Sequence, residues 1–157
     1  MHPTIGNLVA LLVVTSTLGW SQRAIADDRL KCKEVSGELS VASNGDGSTH
    51  GTLKHAGKLN GTTRAVFTSA LTPTPNPNAF SYTGEFSIAT NRGVLKSHNV
   101  GLFLVANGLF SEVAVIDSSN STGNFLNATG VLYINGKTSD GGATFKADVL
   151  GEVCAVN

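Results

Sequence analysis

Few side chains in this chain can do acid–base or metal chemistry, and what each could do depends on the direction in which its strand aims it. Glu112 lies in the run LFSEVAVI, residues 109–116. Successive side chains of a strand point to opposite faces, so Glu112 shares one face with Phe110, Ala114 and Ile116. The other face carries Leu109, Ser111, Val113 and Val115. If the first face is internal, a carboxyl group enters an apolar lumen, burial raises its pKa, and it becomes suited to proton transfer. If the second face is internal, Glu112 is a solvated surface charge, and this is the expected arrangement. Tyr133, in the apolar run VLYI, is the other weak catalytic candidate. Together with Glu112 it would serve an isomerase or cyclase acting on a hydrophobic substrate. Glu85 shares its face with Thr83 and Ser87 and is expected outside.

His50 and His55, with Asp46 nearby, form a loose trio of metal-ligand types. Their odd spacing sends the two rings to opposite faces of a strand, so a shared ion would need a bulge. Asn44-Gly45-Asp46-Gly47 lacks the further carboxylates of a calcium loop and reads as a turn. The chain holds no Ser-His-Asp arrangement, phosphate loop or paired-cysteine motif, so neither a metal nor a cofactor is expected. Asn60-Gly61-Thr62, Asn120-Ser121-Thr122 and Asn127-Ala128-Thr129 are glycosylation sequons if the host glycosylates.

The first residues supply the compartment. Residues 8–20, LVALLVVTSTLGW, are too short an apolar run for the roughly 20 residues a membrane-spanning helix needs. They read as a signal-peptide core. Ala24 and Ala26 place small side chains for cleavage before Asp27, giving a leader of residues 1–26 and a barrel domain of residues 27–157. Only the terminal amine and His2 precede the apolar run, where Lys or Arg is usual. The expected product is secreted or periplasmic, with no stable membrane insertion after processing.

About 130 residues would remain, enough for one domain to bury roughly two thirds of its unfolded surface. The whole chain has 11 Lys and Arg against 11 Asp and Glu; removal of Arg23 leaves 10 against 11. With no field of one sign and no basic cluster, nucleic acid is not an expected partner.

The two cysteines, Cys32 and Cys154, stand near opposite ends of the processed chain. In an oxidising compartment a pair implies one bridge, the alternatives being free thiols or a shared metal site. A bridge requires the first and last strands to bring Cα atoms within about 4.4 to 6.8 Å, as a closed barrel does.

Between the cysteines, short apolar runs alternate with polar residues and are broken by Gly, Asn, Asp or Ser. One face collects Val35, Gly37, Leu39 and Val41; another Ala65, Phe67, Ser69 and Leu71; another Tyr82, Gly84, Phe86 and Ile88; another Phe145, Ala147, Val149 and Val153. A strand is expected over 49–58, with a hairpin at Asn60-Gly61, a strand over 62–71, and turns at residues 91–93 and 107–108. Residues 101–106, GLFLVA, are apolar on both faces, so that strand is covered outside or meets a partner there. Pro73, Pro75 and Pro77 cannot donate to a ladder and mark a rigid loop at a barrel mouth. The expected fold is all-β: a single antiparallel closed β-barrel of about eight strands, preceded by a signal-peptide helix.

Ser121-Thr122-Gly123-Asn124-Phe125, then Ala128-Thr129-Gly130, the strand VLYI and the ending Gly151-Glu152-Val153-Cys154 carry a resemblance. Residues 94–154 resemble the allene oxide cyclase-like and dirigent-like β-barrels, in particular small exported bacterial members. Ser121 replaces the first Gly of the family's stretch. In physical terms, Gly123 and Gly130 permit turns, Phe125 plugs the barrel floor, and Ala128 lets neighbouring backbone pack closely. The resemblance implies a barrel and, for plant members, ring closure of a fatty-acid epoxide or guidance of phenoxy radical coupling, both of which need a deep apolar cavity. Early-strand functional residues of those families have no counterpart here. The expected function is a binding or structural module with a possible small hydrophobic ligand in the lumen; the alternatives are the isomerase and a surface interaction protein that self-associates. An open apolar pocket of about 300 Å³ or more would favour ligand binding.

Overall fold

The computed structural model describes residues 31–155. The expected leader and cleavage residues Ala24, Ala26 and Asp27 lie outside the described residues.

Nine strands form one antiparallel sheet: β1 (Lys31–Ser43), β2 (Ser48–Lys54), β3 (Gly61–Phe67), β4 (Thr72–Pro73), β5 (Ala79–Thr90), β6 (Gly93–Leu104), β7 (Leu109–Ile116), β8 (Thr129–Lys137) and β9 (Thr144–Ala155). Eight of them close into a barrel in which each pairs with its neighbours in the chain, β3 with β5 and β9 back with β1. The two-residue β4 pairs with the start of β5, beyond the point where β3 ends. Closure leaves the eight main strands without a free edge.

The first and last strands are in register from Lys31 opposite Ala155 to Ala42 opposite Thr144. Cys32 stands directly opposite Cys154, and the two are disulfide-bonded with Cα atoms 3.8 Å apart. That separation is shorter than the expected range.

The barrel has two unlike ends. One carries both described chain ends, the disulfide, the β5–β6 turn and two 3-10 turns, Gly57–Leu59 and Gly123–Phe125. Leu59 and Phe125 dip from those turns into a core shared with Leu53, Ile88, Leu95, Leu132, Ile134 and Val149. At the other end lie the loops after β1, β3, β6 and β8, including the Pro-rich segment.

The corner before β8 is sewn to the β5–β6 turn. Thr122 N–H donates to Val94 O (2.8 Å), Asn124 N–H to Arg92 O (2.9 Å), and Val94 N–H to Thr122 Oγ1 (3.1 Å). Gly123 has φ +62°, and a Cβ there would collide with Arg92 O, so the corner needs glycine on two counts. Buried Ser121 accepts from Lys96 N–H (3.0 Å) and donates to Asp117 O (2.8 Å), which docks the corner against β6. Ala128 is fully buried, and Gly130 opens β8 at φ +137°.

Strand limits differ from the sequence reading in three places. β2 stops at Lys54, because His55 and Gly57 turn to φ +58° and +59° and the 3-10 turn redirects Ala56 and Leu59 inward. β3 stops at Phe67, where the chain leaves for the mouth loop. The strand expected over 101–106 is the end of a longer one that begins at Gly93 and stops at Leu104.

The disulfide spans 122 residues of sequence, so its removal restores a large entropy to the unfolded chain. Replacing both Cys32 and Cys154 by Ser should lower the unfolding free energy in urea by on the order of 4 kcal/mol while the far-UV spectrum of the folded form stays β-rich. An unchanged denaturation midpoint would contradict this role for the bridge.

Candidate functional site

The core does not fill the barrel. Toward the loop-bearing end a cavity of about 430 Å³ remains, walled by Phe67, Tyr82, Phe86, Phe103, Phe110 and Phe145, with Leu39, Val41, Leu71 and Ile134. Small residues make the room: Gly47, Ala65, Ser69, Gly141 and Gly142 line the same space. Phe67 packs edge-on against Tyr82 (centroids 5.3 Å apart, 82° between planes), and Phe110 likewise against Phe145 (5.7 Å, 89°). Both pairs adopt the geometry that aromatic quadrupoles favour. Two larger depressions, of about 790 and 1710 Å³, are lined in large part by outward residues such as Asn135 and Lys146, or Tyr133 and Leu150.

Glu112 is part-buried and lines the cavity, which corrects the expectation that it is a solvated surface charge. Its neighbours Val113 and Val115 are the outward ones, 41% and 52% exposed. Both faces of β7 are rich in apolar residues, so the strand's own alternation could not orient it; pairing with β6 and β8 does.

Tyr82 is the partner that the single-strand reading missed. In register, Tyr82 of β5 faces Gly101 of β6, and Gly101 faces Glu112 of β7. The middle strand therefore presents no side chain between them, and Tyr82 Oη reaches across to donate to Glu112 Oε1 (2.7 Å). A Cβ on Gly101 would collide with the Tyr82 ring. Buried Asn99 donates through Nδ2 to Glu112 Oε2 (2.6 Å), and Ser97 Oγ donates to Asn99 Oδ1 (3.0 Å). The register was available in principle: the turn joining Thr90 to Gly93 and the loop joining Leu104 to Leu109 align Tyr82, Gly101 and Glu112 by counting back along each hairpin.

Burial raises the Glu112 carboxyl above its ordinary value of 4.5, against the pull of the hydrogen bonds from Tyr82 and Asn99, which favour the ionised form. Tyr82 is raised first by burial and then by the neighbouring Glu112 charge, so its phenol stays protonated and remains a donor. The cavity-lining residues include no Lys, Arg, His or Asp, which leaves Glu112 as the one side chain there that can carry charge near neutral pH.

Tyr133 does not join the site. It is half exposed on the outer wall, between Val113 of β7 and Leu150 of β9. The catalytic alternative thus keeps its carboxyl group and loses its tyrosine.

The Asp46, His50 and His55 trio is not assembled either. Asp46 accepts from Ser48 N–H (3.0 Å) and Oγ (2.6 Å), while His50 Nδ1 meets Asn44 Oδ1 at 2.5 Å. His55 lies past the opposite end of β2. Among the described residues, the ligand-type groups that come together are Cys32, Glu152 and Cys154, whose two sulfurs are bonded to each other.

The mouth loops are held by acidic caps. Asp140 accepts from Thr144 N–H (2.8 Å), Thr144 Oγ1 (2.6 Å) and Thr138 Oγ1 (2.8 Å), which orders the Gly141-Gly142 rim and holds its carboxyl below the ordinary 3.8. Asp46 is lowered in the same way by Ser48.

A raised carboxyl pKa means that the folded protein binds a proton that the unfolded chain has released, so stability falls as pH rises from 4.5 through the folded value. Asp140 and Asp46 act in a separate window, their contribution being lost as pH falls below 3.8. Urea unfolding above pH 4.5 should show wild type losing stability with rising pH and Glu112→Gln losing less. Parallel curves for the two proteins would contradict the burial of this carboxyl group.

No protein-family model, curated protein or solved structure matches this chain. The likeness of residues 94–154 to allene oxide cyclase-like and dirigent-like barrels stands on the quoted residues alone.

Proposed function

We propose that this protein is a binding module that holds one small, mostly apolar molecule in the barrel lumen. The observation that carries the reading is the apolar cavity of about 430 Å³ with a hydrogen-bonded carboxyl group in its wall. Binding sites for small molecules combine such an apolar lining with a few placed polar groups, at volumes of about 300 to 1,000 Å³. Eight strands enclose an interior that is either filled by side chains or able to hold one small ligand, and here the lower part is filled and the upper part is not. The exposed apolar rim, Phe67 at 39% and Leu71 at 52%, supports the same reading, since a bound molecule would cover it. The secreted or periplasmic setting inferred from residues 1–26 suits a carrier or scavenger.

Binding stabilises the folded state by RT ln(1 + [L]/Kd), or about 2.7 kcal/mol at a hundred times Kd. Titration with 1-naphthol should therefore raise the melting temperature of the mature protein and quench its tyrosine fluorescence. Ala65→Trp, which places an indole in the cavity, should abolish the naphthol effect without preventing folding. Equal binding by that variant, or none by wild type, overturns the assignment.

A second observation favours self-association through the outer wall. Val100, Val113, Tyr133 and Leu150 stand directly opposite one another across β6, β7, β8 and β9, forming an apolar row with exposures of 41% to 61%. On the β9–β1 side lie two acidic cross-strand pairs, Glu152 opposite Glu34 and Asp148 opposite Glu38; on the β6 side lies Lys96, while His98 is paired with Asp117 (3.2 Å) and stands opposite Glu85. A second copy docked about a twofold axis parallel to the strands would set the apolar row of each against that of the other, with Lys96 of each facing the acidic margin of its partner. Sedimentation equilibrium should show a dimer that weakens with salt and dissociates in Val113→Glu. A strictly monomeric wild type at high concentration would remove this reading.

A further inference from the structure

The lumen contains a carboxyl group with no countercharge. Facing Glu112 are Tyr82 from β5, Asn99 and Gly101 from β6 and Ile134 from β8, and Tyr82 is the only other titratable group among them. Each carboxylate oxygen accepts one hydrogen bond from the protein, Oε1 from Tyr82 and Oε2 from Asn99. A carboxylate oxygen has two acceptor positions, so a lone pair on each oxygen remains for a donor arriving in the cavity. The two protein donors hold the carboxylate in place but supply no positive charge, and an ionised group in apolar surroundings is costly without one.

We propose that the lumen selects small apolar amines, the ligand's ammonium group pairing with Glu112 while its hydrocarbon or aromatic body packs among Phe67, Phe103, Phe110 and Phe145. This deepens the binding reading above and rests on it. Three features converge on a cation. The one charge-bearing side chain of the cavity is acidic, the donors already present favour its ionised form, and the wall is built of aromatic rings, whose faces attract an ammonium group. An anionic ligand would meet no cationic side chain among the lining residues and would face the Glu112 charge. A neutral ligand with a hydrogen-bond acceptor would require Glu112 to take up a proton, turning a group now surrounded by donors into a donor itself. Burial raises the Glu112 carboxyl and so narrows the gap between these cases, while a rise in pH favours its ionised form and leaves an aliphatic amine, near 10 in ordinary solution, still cationic.

The experiment measures binding of three phenyl-bearing probes of similar size, 2-phenylethylamine, 2-phenylethanol and phenylacetate, to the mature disulfide-bonded protein by calorimetry across a pH series. A charge-assisted hydrogen bond is roughly twice as strong as a neutral one, so the amine should bind about tenfold or more tightly than the alcohol at pH 8 to 9, and the carboxylate most weakly. Acidification should erase the amine's advantage as Glu112 takes up its proton. In Glu112→Gln the advantage should vanish at every pH while the affinity for the alcohol persists, which also shows that the cavity is intact. If that variant does not fold, the wild-type pH series decides alone. An alcohol that binds as tightly as the amine, a carboxylate that binds tightest, or an amine preference retained in Glu112→Gln each overturns the amine assignment and leaves the binding module standing. Failure of all three probes overturns both.

Discussion

The pairing of β1 with β9 is the constraint on which the rest of the structure depends. An open sheet of the same strands would leave both of these strands as edges, each a row of unpaired backbone groups, and would enclose nothing. Pairing them along residues 31–42 and 144–155 removes the edges and converts one face of every strand into an interior. It is also the pairing with the greatest separation in sequence, so it carries the largest loop-closure entropy. The Cys32–Cys154 bond at the end of this seam lowers that entropy cost in the unfolded chain, and strand pairing and bridge act on the same closure.

Closure alone does not decide what the interior holds. In the half nearest the disulfide, branched aliphatic residues and the two inserted side chains Leu59 and Phe125 fill the space. In the other half the inward positions on several strands are small, Ala65 on β3, Gly101 on β6, Gly136 on β8 and Ala147 on β9, and the rings of Phe110 and Phe145 pack edge-on against each other. The filled half supplies the packing energy that steadies the hollow one. The mouth loops, in turn, are kept in shape by short side-chain-to-backbone hydrogen bonds at Asp46 and Asp140 rather than by a packed lid.

Glu112 breaks the rule that the inward face of a small barrel is apolar. Its burial opposes folding at neutral pH, and the chain Tyr82–Glu112–Asn99–Ser97 limits that cost by giving each oxygen one donor. Gly101 is essential to this compromise because its missing side chain lets a tyrosine span two strand spacings. A local departure from good packing that is supported by three further residues on adjoining strands is the kind of feature that accompanies a binding site.

Much of the strand pattern could be read directly from residues. The inward sets Val35 to Val41, Tyr82 to Ile88 and Phe145 to Val153 hold because each strand has one polar face, and alternation of that kind is a local property. The overextension of β2 past Lys54 has an equally local cause, since two residues of positive φ, His55 and Gly57 on either side of Ala56, leave no signature in hydrophobic periodicity. The errors at Glu112 and Tyr133 are of a different type. Both faces of β7 and β8 carry apolar residues, so direction was undetermined until neighbouring strands imposed it. The amino-acid sequence by itself determined the all-β character and the alternation within each strand, because these follow from side-chain size and polarity along one strand. Only the tertiary structure decided which apolar face became the lumen, where that lumen stayed hollow and that Tyr82 meets Glu112, because these follow from hydrogen-bond register and curvature accumulated over eight strands.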